Sequence, residues 1–144
     1  MKKLAISLFA ILISFSVFAQ SERNAERATS ATEKMTAVYK LEANQLAEVQ
    51  TIQARKYRNL GEIESMRETD PSKYILKLRS IRSGTEASYK RIFSEEQKAI
   101  LHQKRMDHRV SLSQDYTKMQ KEGLTKEQMN EKIIEMELEM LEDL

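Results

Sequence analysis

Ile92-Phe93-Ser94-Glu95-Glu96-Gln97 is the stretch from which the rest of the chain can be parsed. Ser94 is a good N-cap, because its hydroxyl can accept from the free backbone N–H of the third helical residue. Gln97 stands at that third position and can reach back to the N–H of Ser94, which completes a capping box. Phe93 precedes the cap, where an apolar side chain can staple onto the helix near Lys98 and Ala99. A helix therefore starts at Ser94, and the apolar segment before it ends at Ile92.

The same grammar recurs twice. Leu124-Thr125-Lys126-Glu127-Gln128 has Leu before the cap, Thr as the cap and Gln at the third position. Leu41-Glu42-Ala43-Asn44-Gln45 keeps the Leu and the Gln but puts Glu where the hydroxyl belongs. A single box signals no more than a helix start. The copies at Leu41 and Phe93 are 52 residues apart, and each opens a long, charged, amphipathic segment.

The chain begins with the pattern of an export signal. Lys2 and Lys3 form a basic start, Leu4 to Phe18 is mostly apolar, and Val17-Phe18-Ala19 supplies small residues for cleavage after Ala19. The apolar run is short for a membrane span. With no Cys there is no lipid-anchored cysteine, no disulfide and no thiolate metal site. These features predict a signal over 1–19 and a soluble periplasmic product. Removing Lys2 and Lys3 leaves 22 basic and 22 acidic residues, so the mature chain is formally neutral. Three Gly, one Pro and no Trp, with abundant Glu, Lys, Arg, Gln and Ala, predict an all-α fold. Bulky apolar residues are too few for a thick core, so dimerisation or an extended, curved shape is expected.

Periodicity places the helices. A short first helix runs from about Ala25 or Thr32 to Tyr39. The second follows Leu41 and carries the stripe Leu46, Val49, Ile52, Tyr57, Leu60, Ile63 and Met66. Thr69-Asp70-Pro71 ends it, and Pro71 suits the start of a third helix reaching Ile92. That helix has the most regular stripe: Ile75, Leu78, Ile81, Thr85, Tyr89 and Ile92. Ser83-Gly84 lies within it and predicts softening without a break. The helix from Ser94 to about Lys121 shows a weaker face of Ala99, His102, Met106, Val110, Ser113, Tyr116 and Met119. Such a face is expected to lie partly in solvent or to meet a partner. Gly123 caps its end, and a last helix starts at Thr125, with Met129, Ile133, Met136 and Met140 on one side. Residues 127–144 hold seven acids and one Lys, whereas 53–110 hold 14 basic and eight acidic residues.

This layout resembles the Spy/CpxP family of exported helical proteins, whose signature is a repeated Leu-Thr-x-x-Gln motif. Phe93, Ser94 and Gln97 match conservatively, Leu41 and Gln45 match at the ends of the motif, and Leu124, Thr125 and Gln128 match in full but late in the chain. The likeness covers roughly residues 32–109. It implies a small hairpin or bundle of long, coiled-coil-like amphipathic helices over 20–123, forming a thin cradle-shaped homodimer. The acidic, Met-rich helix over 124–144 is an addition to that core. The resemblance further implies an ATP-independent chaperone or envelope-stress adaptor that binds unfolded clients. Relatives of the family instead bind one sensor kinase, or bind or sense metals.

The residues themselves offer no catalytic constellation: no Cys nucleophile, no glycine-rich phosphate loop and no Gly-x-Ser-x-Gly elbow. No catalytic residue, cofactor or metal ligand is assigned. His102 and His108 are six apart and point about 120° from each other on a straight helix. The export signal and neutral charge disfavour nucleic acid. The basic middle reads either as a solvated helix surface or as a client-binding face. In the latter case Arg55, Arg58, Arg79, Arg82, Lys90, Arg91 and Arg105 alternate with Tyr57, Ile81, Tyr89 and Met106. Basic stems can lie over apolar ground while their heads stay wet, and charge hastens encounter. The acidic last helix reads as ordinary packing, as a displaceable cover for that face, or as a partner-docking helix.

Overall fold

A computed structural model describes residues 22–144; the expected signal over 1–19 and its cleavage after Ala19 lie outside the described residues. The described chain is all-α, without a strand. Helix α1 covers 22–39, α2 Ala43–Ile63, α3 Met66–Thr69, α4 Pro71–Ile92, α5 Glu95–Lys121 and α6 Lys126–Glu142. Among the described residues no helix is long and apolar enough to cross a membrane.

The helix ends follow the caps. Ser94 Oγ accepts from the Gln97 N–H at 3.3 Å while Gln97 Oε1 accepts from the Ser94 N–H at 2.8 Å. Thr125 and Gln128 repeat the pair at 3.3 and 2.9 Å. At the degraded copy only half of the side-chain exchange is made: the Glu42 N–H donates to Gln45 Oε1 at 3.0 Å, but the Gln45 N–H goes to the Glu42 backbone carbonyl. Asp70 caps α4 through the Lys73 N–H at 3.0 Å, with Pro71 at the first turn. Helix α4 runs unbroken through Ser83-Gly84, and Gly123 ends the α5 turn at φ +67°. Lys40, between α1 and α2, also has a positive φ of 51°, a conformation that side chains other than Gly seldom adopt.

Helices α2 and α4 are antiparallel, tied by Arg55–Ser88 and Gln45–Ile92 near the motif end and by Tyr74–Glu64 near the turn. Helix α6 returns along both. It runs parallel to α4, through Arg79–Glu137 and Arg82–Met140, and antiparallel to α2, through Lys56–Leu141 and Gln53–Leu144. Two apolar clusters result. One joins Tyr57, Leu60, Tyr74 and Leu78 to Ile133, Ile134 and Leu141. The other joins Met35, Tyr39, Val49 and Ile52 to Tyr89, Phe93, Leu101 and Leu144. A fully buried Leu or Ile contributes about 1.5–3 kcal/mol, so α6 supplies a substantial part of the first cluster through Ile133, Ile134 and Leu141, while Leu144 just past its end joins the second.

Two expectations need correction. Ala99 is exposed, and Phe93 stacks on Tyr89 at 5.1 Å and against Tyr39 at 4.9 Å in place of a staple to Lys98 and Ala99. Leu46, expected in the α2 stripe, is exposed. The weak stripe of α5 lies in solvent, as its polar character predicts, except at Met119. Leu101 and Met119 are the buried apolar residues, with His108 and Leu112 half-buried between them. Period alone could not choose between these faces, because α5 carries scattered apolar residues on both.

Candidate functional site

The two motif copies meet. Gln45 Nε2 donates to Gln97 Oε1 at 2.8 Å, and Gln97 Nε2 returns a bond to Gln45 Oε1 at 2.9 Å. Each amide also holds a carbonyl at the end of another helix: Gln45 that of Ile92 at 2.8 Å, Gln97 that of Tyr39 at 3.2 Å. Each glutamine thus caps its own helix and ties off another. Leu41 and Phe93 lie buried in the same apolar cluster. The third copy stands alone: Leu124 is half-buried against the other cluster, while Thr125 and Gln128 are exposed.

The seat of α6 is ionic as well as apolar. Glu137 is fully buried between Arg79 Nε at 2.6 Å and Arg82 Nε at 3.4 Å. Arg82 meets the second carboxylate oxygen as an ion pair off the hydrogen-bond angle. Arg27 holds Glu142 at 2.6 Å, the Tyr57 hydroxyl donates to the same carboxylate at 2.9 Å, and His108 Nε2 lies 3.3 Å from Asp143. Burial alone would push the Glu142 carboxyl up, but the bonds from Tyr57 and Arg27 and the nearby charges hold it below the usual range. Lys56 is buried, donates to the Leu141 carbonyl at 2.7 Å and lies 4.6 Å from the centre of the Tyr57 ring. Burial lowers its pKa to about 8, against an opposing pull from Glu142. Burial also raises the tyrosine hydroxyls, Tyr39 and Tyr74 to about 12.

The expected client face is divided. Tyr57 and Tyr89 are core residues, each at most 1 % exposed, and offer nothing to a client. Arg79 and Arg82 are engaged by Glu137, and Ile81 packs partly buried against a core cluster. Arg58 pairs loosely with Glu62 at 3.9 Å, and Arg105 with Glu86 at 3.8 Å. Lys90 is exposed. Arg55 and Arg91 converge on Ser88 across the α2–α4 junction. Met106 is 39 % exposed, on α5 with Val110 at 54 % and Ile100 at 36 %. His102 is exposed, and among the described residues no three His, Cys, Asp or Glu side chains gather as a metal ion would require.

Sequence reasoning missed Gln53, Lys56 and Glu137 as buried polar residues. The partners of the first two are backbone carbonyls about 90 residues away along the chain, and no local pattern encodes those. Glu137 left a faint signal: it stands between Met136 and Leu138, opposite Arg79 and Arg82, which share a helix face at i, i+3.

No family model, no curated protein and no solved structure matches the chain.

Proposed function

We propose that the chain is an exported, ATP-independent chaperone or envelope-stress adaptor of the Spy/CpxP type, holding unfolded or extended segments on a basic, partly apolar helical surface. The observation that carries this reading is the outer side of α5. Over 27 residues that helix buries only Gln97, Leu101 and Met119, and it leaves Ile100, Met106, Val110 and Tyr116 to solvent among Lys104, Arg105 and Arg109. Scattered apolar contact beside long basic side chains suits weak, promiscuous binding, because Met adapts its shape and Arg both stacks and forks. The reciprocal Gln45–Gln97 pair supports the family resemblance, since it gives the two motif copies a joint structural task.

Relative to the sequence-based face, the proposed surface loses Tyr57 and Tyr89 and keeps Arg55, Arg58, Lys90, Arg91, Arg105 and Met106. Light scattering from several unrelated denatured clients tests it. The mature protein should suppress aggregation at near-stoichiometric ratio, and Met106→Asp with Val110→Asp should weaken that at least threefold with unchanged circular dichroism. A single saturable partner with no effect on aggregation would favour a dedicated regulator instead. The proposed homodimer predicts twice the monomer mass in sedimentation equilibrium at micromolar concentration.

A further inference from the structure

We propose that the cleft between α2 and α4 at Ser88 is a phosphate-binding site. Arg55 donates to Ser88 Oγ at 2.6 Å, and Arg91 approaches the same oxygen at 3.4 Å. Ser88 is buried and directs its own hydrogen to the Gly84 carbonyl at 2.9 Å, so its lone pairs face both guanidinium groups. Among the described residues neither arginine has a carboxylate within ion-pair distance, whereas Arg27, Arg58, Arg79, Arg82 and Arg105 each do. Two like charges thus share one neutral hydroxyl and lack a counter-ion. That arrangement is electrostatically incomplete, and an anion would complete it.

The cleft has the room and the lining. Its volume is about 310 Å³, no acidic side chain faces it, and Asn59 and Ser80 add further polar groups. Gly84 forms its open floor: a Cβ there would meet nothing within 4 Å. A glycine inside a helix costs stability relative to alanine, and no close packing within the protein accounts for this one. It leaves space for a ligand to approach the helix. Two unneutralised guanidinium groups match a dianion better than a monoanion. The planar forks and the hydroxyls suit a tetrahedral oxyanion with several acceptors. The ligand class is therefore a phosphate or phosphomonoester, free or carried on a lipid headgroup. This inference does not depend on the chaperone reading, and its test is blind to client binding.

The test is calorimetric titration of the full folded protein at fixed ionic strength with inorganic phosphate, glycerol 3-phosphate and acetate. Saturable binding of both phosphates is expected, with acetate at least tenfold weaker. Arg55→Gln and Arg91→Gln, both exposed, should each weaken phosphate at least tenfold, while Arg109→Gln on α5 changes it less than twofold. Gly84→Leu should raise the melting temperature through helix propensity and yet abolish binding, which no general loss of fold could do. Flotation with phosphatidylcholine vesicles, with and without phosphatidic acid, separates the sources: selective flotation assigns a lipid headgroup, and its absence assigns a soluble phosphate. Acetate binding as well as phosphate, no phosphate binding beyond that of chloride, or full binding by Gly84→Leu or by both arginine variants would overturn the proposal.

Discussion

Gln97 does more than its place in a capping box requires. Its amide caps Ser94, pairs with Gln45 and holds the Tyr39 carbonyl. Gln97→Ala should cost about 2–4 kcal/mol in denaturant melts, because it strands several partners in a largely buried place. Gln45→Ala and Gln97→Ala together should be less than additive, with about 0.5–3 kcal/mol of coupling. The caps themselves should rank as their chemistry does. Ser94→Ala should lose about 0.5–2 kcal/mol, and Glu42→Ala less, since Glu42 makes no side-chain cap bond.

Lys56 gives the same scale a pH signature. Its pKa is about 8 in the fold against an ordinary 10.5. Between those values the unfolded chain binds more protons, so stability should rise with pH from about 8 toward 10.5, by at most about 3 kcal/mol. Below about 8 the amine is charged in both states and adds no slope. Above pH 10 the raised tyrosines reverse the trend, because their hydroxyls ionise first in the unfolded chain. Lys56→Met should remove the rising limb in melts taken across this range; a rising limb unchanged in that variant would assign it to another group.

Among the elements, α6 shows how charge and packing divide the work. The opposite charges of the middle and the tail were legible in the sequence, and so were the caps, the α2–α4 turn at Asp70-Pro71 and the start of α6. The sequence left open whether the acidic helix is packing or a displaceable cover. Ile133, Ile134, Met140 and Leu141 are buried in it, so it belongs to the core. Deleting 123–144 should therefore lower the melting temperature sharply. The ionic part should be asymmetric. Glu137 is fully buried, whereas Arg79 and Arg82 retain 44 % and 20 % side-chain exposure and can reach water. Arg79→Ala with Arg82→Ala, which strands the acid, should cost about 3–5 kcal/mol, and Glu137→Met about 1 kcal/mol or less. Equal losses in chemical denaturation would mean that the carboxylate is not the element at risk. What the sequence could not show was which side of α5 faces inward, since that depends on where α6 returns.

For the whole molecule, the proposed work falls to the surfaces that the fold leaves over. Helix α6 occupies the apolar groove of α2 and α4, and Tyr57 and Tyr89 are spent on the core. Client contact is then left to the outer side of α5 and the exposed basic residues of the proposed surface, with α6 staying in place. Hydrogen exchange read by mass spectrometry, with and without a saturating unfolded client, tests this most directly. Local opening limits exchange in a helix with few buried contacts, so α5 should exchange readily when free. The proposal predicts that client slows exchange over 99–117 and leaves 126–142 unchanged. Faster exchange over 126–142 with no protection of α5 would contradict it, because the client would then be taking the seat of α6.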